Sequence, residues 1–242
     1  MKRFALVCGA SGAIGQAISQ QLAQDGWSLY LHYNAGKEAV HTLTKQFTST
    51  YPNQEFLAVQ ADFSDDHGAE HLAQQIYSLQ AIIFANGHAF YGLLEDTSVL
   101  DMNKLWKVHV QNPMRATALL ASKLRANPVS YILVIGSIWG EVGAAGEVVY
   151  SAVKGAQHSF VKAFAQEAAY NGIRVNAITP GIINTNMNAK FDQQERDELA
   201  SQIPLQAFGE PRDIANMVSF YVSGHADYVT GQIIRVNGGW YI

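Results

Sequence analysis

Cysteine occurs once in the 242 residues, at Cys8, which excludes an intrachain disulfide and a thiolate zinc cluster. At the end of an apolar run, Cys8 reads as a small core hydrophobe. Charge is sparse and scattered: 16 Lys and Arg against 20 Asp and Glu give a net charge of −4. No basic stripe is present to neutralise phosphates, so nucleic acid is not an expected partner. Long apolar runs are missing too. The run in "MKRFALVCGASG" ends at Val7 and Cys8, too short for a signal peptide or a membrane span, which points to the cytoplasm. The histidines are dispersed; His67 and His71 lie four apart but lack supporting carboxylates or cysteines, so no metal site is expected. Repeats, low-complexity tracts and linkers are absent, which favours one domain over residues 1–242.

What is present is an alternation. "FALVC", "SLYLHY", "EFLAVQ", "AIIFA", "YILVIGS", "RVNAIT" and "QIIRVN" are short, apolar and rich in β-branched or aromatic residues. Between them, stretches such as Ile14 to Asp25 and Ala152 to Tyr170 repeat apolar residues at helical spacing. Near-continuous apolar strands separated by helices predict an α/β, Rossmann-like, doubly wound parallel sheet of about seven strands with helices on both faces. One long excursion, Asn184 to Gly209, follows a Pro-Gly turn and is polar; it reads as a substrate lid or as a solvated surface helix.

"ALVCGASGAIGQAI" sets Gly9, Gly12 and Gly15 between the first strand and first helix. Residues without Cβ let backbone approach a pyrophosphate, and the free amides of the helix start attract its charge. A dinucleotide is therefore expected. At the end of the second strand an Asp or Glu would hold the NAD ribose and repel a 2′-phosphate. The chain has Tyr33 and Asn34 there, with Lys37 beyond, which favours NADPH over NADH. Asp62, in "QADFSD", bonds the adenine amino group, serves as a helix N-cap in the following loop, or does both.

"SIWGEVGAAGEVVYSAVK" holds Ser137, Tyr150 and Lys154, the last two separated by one helical turn. As hydride reaches a carbonyl carbon, negative charge grows on the oxygen and an acid must neutralise it. An unperturbed tyrosine, with a pKa of about 10, is a poor acid near neutrality, and each unit of lowering is worth about 1.4 kcal/mol. Lys154 is expected to provide the positive charge that lowers it.

These motifs together resemble the classical short-chain dehydrogenase/reductase family over nearly the whole chain. The resemblance implies that Tyr150 is the acid, that Lys154 also holds the nicotinamide ribose and that Ser137 hydrogen-bonds the substrate oxygen. It implies cofactor contacts from Gly9, Ser11, Gly12, Ile14, Gly15, Asp62, Phe63, Asn86 and Gly87. In "RVNAITPGIINTNM" it adds Pro180, Gly181, Ile183 and Thr185. The chain departs from the family at Cys8 and Ala13 in the glycine turn, at Gly12 where NADP relatives often carry arginine, and at "FANG", Phe84 to Gly87. His109 takes the place of a relay asparagine, either as a substitute in a proton chain or as a packed helix histidine; Asn112 lies three residues on.

"DYVTGQIIRVNGGWYI" is similar to the 3-oxoacyl-carrier-protein reductases, but Pro128 and Asn171 stand where those enzymes dock the acidic carrier through basic residues. "GSIWGEVGAAGEVVYSAVKGAQHSFVK" is similar to a Bacillota branch associated with reducing a 5-aminopentanone group on a lysine of elongation factor P. An ammonium-bearing substrate calls for a carboxylate. Glu147, with Glu141, is expected to pair with it, and Trp139 to pack over its chain or cation; alternatively Glu147 is a solvated loop glutamate. Other readings are a thioester or small-ketone reductase and a catalytically silent NADP(H) sensor. The family also implies a homotetramer.

Overall fold

The computed structural model describes residues 2–185 and 192–241. Its centre is a seven-stranded parallel sheet in the order β3-β2-β1-β4-β5-β6-β7. The strands are β1 Phe4–Cys8, β2 Ser28–Tyr33, β3 Phe56–Gln60, β4 Ala81–Phe84, β5 Ser130–Ile135, β6 Ile173–Pro180 and β7 Ile233–Val236. All seven expected strands are present, with ends displaced by a residue or two.

Strand residues alternate between two apolar layers because successive side chains point to opposite faces. On one face, Val7, Leu29, Leu31, Ile83 and Leu133 pack against α1 (Ala13–Gln24), α2 (Lys37–Thr50) and, further along the chain, a helix at residues 211–222. On the other, Leu6, Tyr30, Ile82, Ile132 and Val175 pack against α3 (Gly68–Ala73) and helices at residues 112–124 and 148–168. Fully burying one such side chain stabilises by about 1.5–3 kcal/mol. Cys8 is buried in the second layer, as expected, and burial pushes its thiol pKa up.

The remaining helices are α4 Val99–Trp106, α5 Asn112–Leu124, α6 Trp139–Val142, α7 Val148–Ala168, α8 Gln193–Ser201 and α9 Pro211–Val222. Strand order reverses between β1 and β4, so their following loops part and leave a crevice at the C-terminal ends of the strands. The 184–209 excursion is closed at its base, where Asn184 N–H donates to Gly209 O (2.8 Å) and Gly209 N–H to Ile182 O (2.9 Å). It carries α8, capped reciprocally by Asp192 and Glu195 and without a buried residue. Residues 186–191 of the expected lid lie outside the described residues.

Candidate active site

The crevice is a cleft of about 470 Å³. Ser11, Gly12, Ile14 and Gly15 wall one side, and Asn86 and Gly87 another. A Cβ on Gly15 would fall 2.1 Å from Gly9 O, so only glycine lets α1 seat this closely on the turn. The first-turn amides of α1 have no intrahelical acceptor and carry the positive end of the helix dipole into the cleft. Gly9 borders this turn from behind.

Ser137, Tyr150 and Lys154 close the far side, with Pro180, Gly181, Ile183 and Thr185 above them. Ser137 ends the β5 loop, whereas Tyr150 and Lys154 share one face of α7, which begins at Val148, earlier than the periodicity suggests. The Ser137 hydroxyl lies near enough to the Tyr150 phenol to favour its charged form. Trp139 N–H donates to Ser137 Oγ (3.2 Å), which fixes the hydroxyl. Lys154 Nζ donates to Ile135 O (3.0 Å) and lies 5.6 Å from the Tyr150 ring centre.

The expected lowering of Tyr150 by Lys154 is not found. Burial first, then the charge of Glu147, push the phenol up, and only the Ser137 hydroxyl opposes them. Lys154 itself is lowered to about 7 by burial. Desolvation penalises the charged form of each group, and it is the leading cause of both shifts.

His109 is buried and its ring stands edge-on to Tyr150, 5.7 Å between centres. Its Nε2 meets both the carbonyl (3.0 Å) and the N–H (3.3 Å) of His88, an acceptor and a donor that accommodate either tautomer. Nδ1 has no partner among the described residues. Burial, followed by the charge of Lys154, holds the ring pKa well below its ordinary value, so the imidazole is neutral. The segment Lys107–Gln111 is a π-helical turn between α4 and α5. Pro113 explains it: four residues after His109, it has no N–H to give the His109 carbonyl. Gln157 Nε2 donates there instead (2.7 Å).

Asn112 turns away from the cleft. It donates to Phe63 O (2.8 Å) and Asp65 O (2.9 Å) and accepts from Ala69 N–H (2.9 Å), tying the β3 loop to α5. Asn86 donates to Val108 O (2.8 Å), so "FANG" tethers the β4 turn to the π-helical turn.

The adenosine-side candidates lie at the ends of β2 and β3. Asp62 accepts from Ser64 N–H (2.8 Å) and Oγ (2.7 Å), a local turn in the loop and not the helix N-cap allowed for it, since the N-cap of α3 is His67. Burial would raise its carboxyl, but the Ser64 and Asn34 hydrogen bonds outweigh that and lower it. The side chains of Tyr33 and Phe63 are buried, and Phe63 stacks on His32, so both serve the core.

Two substrate candidates are engaged elsewhere. Trp139 packs edge-on against Trp240 (5.3 Å) and Tyr241 (5.7 Å) at the C-terminal end. Glu141 pairs with Arg235 (2.7 Å) and accepts from Thr179 Oγ1 (3.2 Å). Burial would raise the Glu141 carboxyl, but Arg235 outweighs it and holds the group charged. Glu147 differs: it is buried at the start of α7, and its charge raises both Tyr91 and Tyr150. Gln157 and His32 were not expected as site residues. Pro113, four after His109, was the available signal for the first; nothing local marked the second.

Comparison with known proteins gives a consistent result. A family profile described as enoyl-(acyl carrier protein) reductase matches residues 9–241. The oxidoreductase YmfI of Bacillus subtilis (strain 168) is 42% identical over 243 residues, covering 100% of both chains. The 3-oxoacyl-(acyl-carrier-protein) reductase FabG of Staphylococcus aureus (strain Mu50) is 29% identical, covering 100% of this chain and 99% of the relative. Among solved structures, a metagenomic blue fluorescent protein in complex with NADPH superposes with a TM-score of 0.93 at 28% identity, covering 99% and 98% of the two chains.

Proposed function

The chain belongs to the short-chain dehydrogenase/reductase family, and from that premise we propose that it is an NADPH-dependent carbonyl reductase whose chemistry is carried by Ser137, Tyr150 and Lys154. The observation that carries this reading is the Ser137–Tyr150 hydroxyl pair beside Lys154, in a cleft that also opens on the glycine turn. Two hydroxyls converging on one point suit a single acceptor oxygen that becomes negative, the requirement of a carbonyl.

The residues fit the cofactor. The turn from Ser11 to Gly15 is narrow enough that a Cβ on Gly15 would close it, and α1 presents free amides to a pyrophosphate. The end of β2 offers Tyr33 and Asn34, and no carboxylate that would repel a 2′-phosphate. When bound, NADPH supplies a hydride to the carbonyl carbon. Tyr150 gives its proton to the carbonyl oxygen, and Ser137 donates a hydrogen bond to that oxygen. Lys154, anchored on Ile135 O, holds its Nζ 5.6 Å from the Tyr150 ring centre, and its pKa of about 7 lets it take or release a proton near neutrality. Neutral His109 stands edge-on to Tyr150, and its ring would relay a proton by taking one at one nitrogen as the other gives one up, so it carries a proton from solvent rather than supplying its own.

Within that activity, the substrate we favour is the 5-aminopentanone group on a lysine of elongation factor P. Glu147 supports it, as a buried carboxylate beside Tyr91 and Tyr150 that suits an ammonium group. A 3-oxoacyl thioester on a carrier protein is the second reading, favoured by the S. aureus relative. Retention of Tyr150 and Lys154 argues against a silent sensor. The reading places one domain of this family, acting as a homotetramer, in the cytoplasm.

The test is mass spectrometry of ketone-modified elongation factor P with enzyme and NADPH, with an acetoacetyl-carrier substrate in parallel. A gain of about two mass units, lost in Tyr150→Phe with a fall in kcat of at least roughly a hundredfold, is expected. Turnover of the acyl substrate alone overturns the elongation factor P assignment, and turnover of neither overturns the carbonyl reductase reading.

A further inference from the structure

His32 is buried where the ends of β1, β2 and β3 meet, and it is bonded through both ring nitrogens. Gly9 N–H donates to Nδ1 (3.2 Å), and Nε2 lies 3.1 Å from Ala61 O. Since Nδ1 accepts, Nε2 carries the proton and donates to that carbonyl. The neighbouring amide is held on the same residue: Ala10 N–H donates to His32 O (2.9 Å). The ring stacks on Phe63, 4.9 Å between centres. Burial lowers its pKa to about 4 against the pull of the Ala61 carbonyl and Asp62, so the ring is neutral and in one tautomer.

A buried histidine satisfied at both nitrogens is ordinarily a strut. What distinguishes His32 is what it joins: the first glycine of the phosphate-facing turn on one side, and the residue preceding Asp62 on the other. We propose that His32 is a positioning residue for cofactor binding, setting the glycine turn through the Gly9 amide and the β3 end through Ala61. An aliphatic side chain there would leave a buried N–H and a buried carbonyl unpaired. The inference rests on the dinucleotide reading of the cleft but adds a residue that does not line it.

Two substitutions divide the ring's functions. In His32→Asn the amide oxygen takes the place of Nδ1 and keeps the Gly9 acceptor. In His32→Gln the amide nitrogen takes the place of Nε2 and keeps the Ala61 donor. Each loses one buried hydrogen bond and the stacking, so both lower the melting temperature similarly. The measurements are NADPH affinity by fluorescence titration, kcat, and residue-resolved exchange of the Gly9 amide in cofactor-free protein. His32→Gln is expected to raise the NADPH Kd roughly tenfold and speed Gly9 exchange, with kcat within about twofold, while His32→Asn keeps Kd within about threefold and Gly9 protected. Equal weakening in the two variants, tracking their stability, overturns the proposal, as does unchanged Gly9 exchange in His32→Gln. The exchange arm needs no cofactor, so its failure is a failure of the brace and leaves the cofactor assignment intact.

Discussion

Gly87 lies against the imidazole of His109 at φ +149°, and a Cβ there would fall 2.2 Å from His109 Cε1. Gly87→Ala must therefore push the ring away from Tyr150. The expected result is a stability loss of about 1–3 kcal/mol and a fall in kcat/KM of at least roughly tenfold, read by thermal unfolding and steady-state kinetics. An active variant with wild-type kcat would remove His109 from the relay. Of the candidate site residues, Tyr150 and Lys154 were legible as neighbours one helical turn apart, whereas Ser137 and the roles of all three came from the family resemblance. Trp139 and Glu141 were not legible. Their directions are set by Trp240, Tyr241 and Arg235, partners roughly a hundred positions away in the chain, and no local pattern reports such a choice. The same applies to the Tyr150 and Lys154 pKa values: spacing announces the charge pair, but desolvation depends on the finished packing.

Among the elements, the seven strands were readable from their apolar runs, since a parallel strand covered on both faces cannot hide its composition. The π-helical turn at Lys107–Gln111 was not, although its cause, Pro113, is in the sequence. Proline announces a missing donor; only the packed structure decides that Gln157 of α7 replaces it. Asn112 shows the complementary case, a polar residue near a site whose work is to join α5 to the β3 loop. Asn112→Ala leaves the Ala69 amide and the Phe63 and Asp65 carbonyls without that partner. It is expected to cost about 3 kcal/mol in urea unfolding while kcat per folded molecule stays within about twofold. A collapse of kcat with unchanged stability would return Asn112 to the site.

For the molecule as a whole, three buried histidines dominate the acid limb of stability. His32 and His158 are lowered from 6.5 to about 4, both chiefly by burial, and His109 moves in the same direction. Between those values the unfolded chain binds more protons than the folded one, so stability rises with pH. Stability is therefore present above about pH 6.5 and is lost progressively as pH falls toward 4. At about 1.4 kcal/mol per unit for each group, His32 and His158 together account for a loss on the order of 7 kcal/mol between pH 6.5 and 4, and His109 adds to it. Urea unfolding from pH 7 to 4.5 measures it. His158→Asn should flatten the slope, and an unchanged slope in that variant would exclude His158 as a source. Among the described residues no helix is long and apolar enough to cross a membrane.

By itself the sequence determined the sheet, the glycine turn on its first crossing and the Tyr150–Lys154 spacing, and its family resemblance pointed to Ser137 beside them. The sheet, turn and spacing depend on composition, on short-range periodicity and on residue types whose backbone geometry leaves little choice. Tertiary structure alone decided which way His109 turns, that Glu141 belongs to Arg235, that Trp139 packs against the C-terminal aromatics, and that His32 joins three strand ends. Each of those outcomes depends on a partner distant in sequence, and burial strength and hydrogen-bond geometry select that partner only once the layers have closed.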